Sequence, residues 1–309
     1  MAKVTIVGSG NVGATAAFYA AERNLADVAM VDIAPGMPQA KSLDAQHCAP
    51  LRQYHVNIVG SNDYAAMKDS DVVIVTAGLP RKPGMSREDL VNINAKIVAS
   101  VSKAIAEYAP NAKVIIVSNP LDIMTYVAWK ATGFGVRRVM GMAGVLDSAR
   151  LRYFIAEELN VSPSEVQALV LGGHGDEMVP LPEYSTVDGI PVTELIAPER
   201  LEQIFDRTRK GGGEIVNYLK TGSAFYAPAA SSVEMAECIL RDNRRILPVA
   251  AYLQGEYGIK GYFIGVPALL GKNGVEKVIE IPISDEGKAQ LKKSARLIEE
   301  TIAKLEIPL

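Results

Sequence analysis

The 309-residue sequence contains three histidines, and one of them has surroundings suited to proton transfer. His174 lies in Gly172-Gly173-His174-Gly175-Asp176, directly after the apolar run Val166 to Leu171. A histidine between glycines at the end of a strand is expected to face a ligand. Imidazole has an unperturbed pKa of about 6.5, so it can donate and accept a proton near neutral pH. His47 and His55 lack such surroundings, and we predict structural or surface roles for them.

A catalytic histidine needs an acid to orient it, and Asp147 is the candidate. Asp147 and Arg150 are three residues apart in a predicted helix, so they share one face. One interpretation is a plain surface ion pair. The other is that Asp147 faces His174 and Arg150 faces a substrate carboxylate, which a guanidinium can pair bidentately. Spacing alone leaves both interpretations open.

The segment from Gly8 to Gly13 reads GSGNVG and follows the apolar strand pattern of Val4 to Val7. The pattern G-x-G-x-x-G between a strand and a helix is typical of dinucleotide-binding sites. Its glycines permit a tight turn, close approach of a pyrophosphate and close packing of helix on strand. The helix N-terminus then offers free N–H groups and a partial positive charge to the phosphates.

Asp32 ends the second predicted strand, 19 residues after Gly13. An acid at about this distance typically binds the ribose hydroxyls of the dinucleotide, and its charge would repel a 2′-phosphate. Ile33 and Ala34 follow, so neither neighbour is an arginine that could hold that phosphate. The sequence therefore favours NAD over NADP.

A basic segment, residues 77–87 (AGLPRKPGMSR), follows the predicted strand Val72 to Val75. Ligands of open α/β sheets bind beyond the carboxyl ends of the strands, which puts this segment at the edge of the site. Its prolines and glycines suit a lid over the site. A solvated basic loop is the alternative.

Apolar strand patterns alternate with helical patterns up to about residue 142. This alternation predicts an α/β fold with a Rossmann-type, doubly wound parallel sheet, whose strands are apolar because helices cover both faces. Beyond it, helical stretches separated by short strands predict an α+β catalytic domain. We therefore expect a nucleotide-binding domain over residues 1–142 and a catalytic domain over residues 143–309. The glycine run at residues 211–213 is interpreted as close helix packing or a kink, with a direct role in the site as the alternative.

Composition and charge exclude several classes of protein. The net charge is −3, from 32 basic and 35 acidic residues, so neither nucleic acid nor an anionic membrane is an expected partner. Cys48 and Cys238 are the only cysteines, which predicts free thiols in a reducing compartment and no metal site. The first residues form a strand pattern rather than a signal peptide, and a cytoplasmic location is expected.

Several motifs occur together in order: GSGNVG, Asp32, AGLPRKPGMSR, SNPLD, GVLDSAR, GGHGDEMVP, KGGGEIV and GSAFYAPA. As a set they resemble the malate/lactate dehydrogenase superfamily, and most closely the lactate-dehydrogenase-like branch of its malate dehydrogenases. The resemblance spans essentially the whole chain. It implies reversible hydride transfer between NAD and a small 2-hydroxy acid, and a homotetramer with a dimer as the alternative.

The resemblance also implies a role for each matching residue. His174 is then the proton donor and acceptor, and Asp147 orients it. Arg150 binds the C1 carboxylate, and Arg87 polarises the C2 carbonyl. Asn119 contacts both substrate and nicotinamide ribose, and a cis bond is implied before Pro120. The implied cofactor-binding residues are Gly8, Ser9, Gly10, Asn11, Val12, Gly13, Asp32, Asn94, Val117, Ser118 and Asn119.

The implied substrate depends on Arg81, where lactate dehydrogenases typically carry glutamine. An arginine there can pair the second carboxylate of oxaloacetate. With pyruvate, the unpaired charge in a closed site would cost about 2–5 kcal/mol, roughly 30- to several thousand-fold in preference. The implied substrate pair is therefore malate and oxaloacetate. Ser223, where lactate dehydrogenases carry threonine, is a mild difference. The alternatives are another 2-hydroxyacid dehydrogenase, such as a lactate dehydrogenase, and a nucleotide-sensing module without turnover.

Overall fold

The computed structural model describes residues 2–79 and 87–307, and for Arg87 only the backbone. The roles predicted for Arg81 and for the Arg87 side chain therefore lie outside the described residues. Within the described ranges, no helix is both long enough and apolar enough to cross a membrane.

The N-terminal half is a parallel sheet covered by helices. In spatial order its strands are β3 (Ile58–Ser61), β2 (Asp27–Val31), β1 (Lys3–Val7), β4 (Val72–Val75), β5 (Lys113–Ile116) and β6 (Val139–Gly141). Its helices are α1 (Asn11–Glu22), α2 (Met37–Arg52), α3 (Arg87–Tyr108) and α4 (Leu121–Thr132). The chain leaves β1 toward β2 and later returns to β4 on the other side of β1. Ligands of such sheets bind at this switch point, beyond the carboxyl ends of the strands.

The sheet continues into the C-terminal half through β10 (Arg245–Gln254), which pairs antiparallel with β6. Beyond β10 the spatial order is β11 (Lys260–Gly271), β7 (Val166–Gly172), β8 (Met178–Val187) and β9 (Ile190–Pro191). β12 (Gly274–Val278) also pairs with β11. The helices of this half are α5 (Gly144–Leu159), α6 (Val192–Leu195), α7 (Pro198–Leu219), α8 (Tyr226–Leu240) and α9 (Asp285–Ile302).

The predicted fold class is confirmed: a doubly wound parallel sheet precedes an α+β half. The expectation of short strands in the second half is wrong, because β8 and β10 each have 10 residues and β11 has 12. Pro248 in β10 stands opposite Pro267 in β11, and proline inside an apolar run weakens a strand pattern in sequence. Helix α4 was not predicted.

An aromatic cluster joins the two halves where α4 packs against β10 and β11. Trp129, the only tryptophan of the sequence, lies on α4 with its ring centroid 4.8 Å from that of Tyr252 and 6.0 Å from that of Phe263. Lys130 places its ammonium 4.8 Å from the centroid of the Trp129 ring. Phe263 is completely buried, so α4 is fastened to the antiparallel strands by close aromatic packing.

Candidate active site

The glycine turn after β1 is shaped by close backbone packing. Gly8 has a φ of +104°, which L side chains rarely adopt, and Thr76 Oγ1 donates a 2.9 Å hydrogen bond to its carbonyl oxygen. A Cβ added to Gly13 would lie 1.8 Å from that same oxygen. Gly13 therefore allows α1 to begin directly against the turn. By contrast, a Cβ on Gly10 would meet nothing within 4 Å, so the backbone there borders open space.

The surroundings of Gly10 fit a pyrophosphate. Helix α1 begins after Gly10 with no side-chain cap and no acidic residue in its first turn, which leaves its positive end available to an anion. The half-buried Asp32 carboxylate lies beside the turn and accepts the Ser9 N–H at 2.6 Å and the Ala34 N–H at 2.9 Å. Ser9 Oγ is buried without a hydrogen-bond partner among the described residues. The turn thus combines an anion-binding helix end with an acid suited to ribose hydroxyls.

Asn94 on α3 joins the ends of two loops beyond the sheet. Its Oδ1 accepts the Leu79 N–H at 2.8 Å, and its Nδ2 donates to the Asn119 carbonyl oxygen at 2.8 Å. Ser118 Oγ donates to the Ala77 carbonyl oxygen at 2.6 Å. Val117 is buried, whereas Asn119 is exposed, and the Asn119–Pro120 bond is cis as the resemblance implied. These contacts hold Asn119 in place beyond the carboxyl end of β5.

His174 and Asp147 form a hydrogen-bonded pair that crosses between elements. Asp147 is in the first turn of α5, and its Oδ2 lies 2.9 Å from Nδ1 of His174, which follows β7. Its other oxygen, Oδ1, is 3.4 Å from Nη1 of Arg150. All three side chains are largely buried, with exposed fractions of 3% for Asp147, 14% for Arg150 and 15% for His174. The structure therefore brings these residues together, and Asp147 and Arg150 are not a plain surface pair.

Burial and charge act in opposite directions on the two cationic groups. Burial lowers the pKa of His174, but the charge of Asp147 and its hydrogen bond raise it by more, so the net pKa is raised. For Arg150, burial lowers the pKa and the charge of Asp147 opposes that effect. A guanidinium stays protonated in proteins, so Arg150 keeps its positive charge. The site thus presents an imidazole prepared to hold a proton beside a fixed positive charge.

The loop from Gly172 to Gly175, called the histidine loop below, is held by two buried side chains that were not predicted from the sequence. Asp122, in the first turn of α4, accepts the His174 N–H through Oδ2 at 2.9 Å. Ser294, on α9, accepts the Gly173 N–H at 2.8 Å. A Cβ on Gly173 would lie 2.7 Å from Ser294 Oγ and 3.3 Å from Asp122 Oδ2. Gly173 is therefore required for this close approach. The SNPLD motif contains Asp122, but nothing in the pattern indicated its partner.

The glycine run on α7 lies beside Arg150. A Cβ on Gly211 would be 3.4 Å from Arg150 Cδ, and one on Gly212 would be 3.6 Å from Nη2. α7 continues unbroken through the run, from Pro198 to Leu219. This agrees with the close-packing interpretation rather than with a kink. Because the glycines have no side chains, they leave room on α7 for the side chain of Arg150.

Comparison with known proteins places these features in a family. Residues 2–141 match the NAD binding domain of lactate/malate dehydrogenase, and residues 144–307 match its alpha/beta C-terminal domain. A malate dehydrogenase from Roseiflexus sp. strain RS-1 is 55% identical to this chain over 303 residues, which covers 98% of each sequence.

Two solved structures show the same fold. The malate dehydrogenase from Salinibacter ruber superposes with a TM-score of 0.94 at 53% identity, over 98% of this chain and 97% of that one. The lactate dehydrogenase from Cryptosporidium parvum, complexed with lactic acid and nicotinamide adenine dinucleotide, has a TM-score of 0.96 at 40% identity over 99% of both chains. The fold is thus common to both activities, and this chain belongs to the lactate/malate dehydrogenase family.

Proposed function

We propose that this chain is an NAD-dependent malate dehydrogenase, which transfers a hydride reversibly between (S)-malate and NAD⁺ to give oxaloacetate and NADH. The observation that carries the proposal is the buried cluster of His174, Asp147 and Arg150, which combines a proton carrier, its orienting acid and a carboxylate-binding cation. Relatives at 52–55% identity over nearly the whole chain bear the name malate dehydrogenase and support the choice of substrate.

The hydrogen bonds of His174 define its part in the reaction. Nδ1 is bound to Asp147, so Nε2 is the nitrogen that exchanges a proton with the substrate oxygen. During malate oxidation Nε2 takes the proton of the C2 hydroxyl, and Asp147 stabilises the imidazolium that forms. During oxaloacetate reduction Nε2 returns that proton to the substrate oxygen, and the raised pKa of His174 favours the protonated imidazole that this step needs.

Arg150 orients the substrate. Its guanidinium pairs the C1 carboxylate, and burial strengthens this ion pair because little water screens it. The same positive charge opposes protonation of His174, so a bound carboxylate also helps the imidazole keep its proton. We assign polarisation of the C2 carbonyl to Arg87 and pairing of the C4 carboxylate to Arg81, on the family resemblance.

The bound cofactor accepts or donates the hydride. Residues at the end of β1 and along α1 would hold its pyrophosphate, Asp32 its adenine ribose, and Asn119 its nicotinamide ribose. The predicted set is Gly8, Ser9, Gly10, Asn11, Val12, Gly13, Asp32, Asn94, Val117, Ser118 and Asn119. The uncapped start of α1 and the open space beside Gly10 support this assignment.

The direct test is the initial rate with oxaloacetate and with pyruvate, each measured with NADH and with NADPH. The proposal expects the highest kcat/KM with oxaloacetate and NADH. Arg81→Gln should lower kcat/KM for oxaloacetate and raise it for pyruvate. The ratio of the two kcat/KM values, oxaloacetate over pyruvate, should fall by about 30-fold or more. Arg200→Gln, which removes an exposed arginine paired with Glu158, is the control and should keep the wild-type ratio. An Arg81→Gln enzyme with the wild-type preference would refute the assignment of substrate.

We further propose a cytoplasmic homotetramer with the two domains meeting near residue 142. The cytoplasmic assignment is supported by the free thiols of Cys48 and Cys238. Exposed apolar side chains on α2 and at the end of α7 support the assembly, because such surfaces are commonly covered by a second subunit. They include Leu43, Leu51, Val216 and Leu219. Light scattering after size-exclusion chromatography measures the subunit number.

A further inference from the structure

The second carboxylate beside His174 has features that holding a loop does not require. Asp122 is 5% exposed, and although Oδ2 accepts the His174 N–H, Oδ1 is buried without a hydrogen-bond partner among the described residues. A neutral asparagine could accept the same N–H. A buried, half-satisfied carboxylate is costly, so its presence here calls for a role that uses its charge.

Asp122 and His174 line one cavity of about 630 Å³, on the side of the histidine loop that faces α3 and α9. Among the described residues, the other charged groups that line it are Glu88, Asp176, Glu177 and Lys304. On α5, Asp147 and Arg150 also act on the proton affinity of His174. The histidine therefore has two acids beside it: Asp147 is hydrogen-bonded to its ring, and Asp122 is hydrogen-bonded to its backbone N–H.

Asp122 and His174 each influence the pKa of the other. Burial raises the pKa of Asp122 to about 6, and the N–H and the charge of His174 partly oppose that rise. At neutral pH Asp122 is therefore charged, and its charge helps to raise the pKa of His174. Because the two groups interact, the protonation state of each changes the proton affinity of the other.

Building on the proposed function, we propose that Asp122 is a positioning residue with a second, electrostatic role. Through Oδ2 it fixes the backbone of the histidine loop, and its negative charge stabilises the protonated imidazole in addition to the charge of Asp147. Asp122 thus helps to keep the proton that oxaloacetate reduction consumes.

The test compares Asp122→Asn with the wild type in a titration that needs neither cofactor nor turnover. Asparagine retains an oxygen that can accept the His174 N–H, so the substitution removes the charge and keeps the bond. The ring resonances of ¹³C-labelled histidine are followed by NMR against pH. With three histidines in the chain, His174 is assigned by its absence from the His174→Asn protein, and His47 and His55 are internal references.

We expect the His174 titration of Asp122→Asn to move to lower pH while the titrations of His47 and His55 stay unchanged. The matched control is Asp71→Asn, because Asp71 also accepts one backbone N–H at 2.9 Å, from Lys3. Asp71 is exposed and lies before β4, at the opposite edge of the sheet, so its variant should leave all three titrations unchanged. A folded Asp122→Asn protein with the wild-type His174 titration would overturn the proposal.

A reciprocal measurement does not require any change at Asp122. In the His174→Asn protein, the ¹³C carboxyl titration of Asp122 should move to higher pH, because the imidazolium charge that opposes its protonation is gone. If Asp122→Asn does not fold, this measurement decides alone, and an unchanged Asp122 titration overturns the proposal.

Steady-state kinetics separate this proposal from the proposed function. For oxaloacetate reduction by Asp122→Asn, the pH at which kcat falls on the basic side of its pH profile should move to lower pH. At pH values above that point, kcat should be about three- to tenfold lower than in the wild type. At pH values below that point the rate should approach that of the wild type. A wild-type chain without oxaloacetate reduction refutes the proposed function, whereas an active wild type and an unshifted variant profile refute only the role of Asp122.

Discussion

Two glycine loops at strand ends form the site, and they are held in different ways. The turn from Gly8 to Gly13 is packed on itself and on Thr76, with Gly13 directly against the Gly8 carbonyl. The loop from Gly172 to Gly175 is held by side chains from two distant helices, Asp122 on α4 and Ser294 on α9. In the first loop glycine leaves room for backbone and ligand. In the second it lets protein side chains reach the backbone.

This difference determines what could be predicted from sequence. The cofactor turn is local: strand, glycines, helix and Asp32 lie within 32 residues, so spacing alone predicted its shape. The partners of the histidine loop lie 52 and 121 residues away along the chain. No periodicity links such positions, and Asp122 and Ser294 were therefore missed. The pairing of Asp147 with His174 was proposed from residue types, but only the fold shows the contact.

The largest expected effect is at the histidine loop. His174→Asn removes the proton carrier and should lower kcat for oxaloacetate reduction by about 10²- to 10⁴-fold. NADH binding, measured by fluorescence titration, should stay close to that of the wild type because the glycine turn is untouched. His55→Asn, at an exposed position, should retain full activity. Loss of NADH binding in His174→Asn would show that the two loops are not independent.

The next effect compares two glycines of the cofactor turn. Gly13→Ala would place Cβ 1.8 Å from the Gly8 oxygen, so it should lower the free energy of unfolding by about 3 kcal/mol. Gly10→Ala meets open space and should leave stability nearly unchanged, yet weaken NADH binding by narrowing the approach to α1. Urea unfolding and NADH titration measure the two quantities. Equal loss of stability in both variants would contradict the packing described for this turn.

A pH-dependent stability difference is expected for Asp122. Burial raises its pKa from the ordinary value of 3.8 to about 6 on folding. The stability that this shift contributes is fully present below pH 4 and is lost as the pH rises through 6, because the buried carboxylate must then carry its charge. Relative to the wild type, Asp122→Asn should therefore gain up to about 3 kcal/mol of unfolding free energy between pH 4 and pH 7. Denaturant titrations at several pH values check this, and a constant difference would show that Asp122 does not titrate in this range.

The smallest effect is expected at Ser294. Ser294→Ala leaves the buried Gly173 N–H without its partner and should cost about 1 kcal/mol of stability and a few-fold in kcat. Ser102→Ala is the control, since its buried hydroxyl has no hydrogen-bond partner among the described residues. If both alanine variants unfold at the same urea concentration, the anchor from α9 contributes nothing measurable to the histidine loop.

Elsewhere the sequence predicted element types better than their lengths. Apolar strands of the parallel half such as Val72–Val75 were recognised because they are short and bounded by turns, whereas β6 was not predicted. The long strands β10 and β11 were missed because each contains a proline, and their pairing is a long-range property. Arg81, on which the predicted choice of substrate depends, and the side chain of Arg87 lie outside the described residues.

The position of the single tryptophan gives the molecule a built-in optical reporter. Trp129 lies two turns beyond Asp122 on α4, and its ring packs against Tyr252 and Phe263 of the antiparallel strands. Selective excitation of indole therefore samples one place, where both halves of the chain meet. Emission from an unlabelled, unmodified protein can follow the separation of those halves, and its dependence on ligand tells whether events at the start of α4 reach its far end.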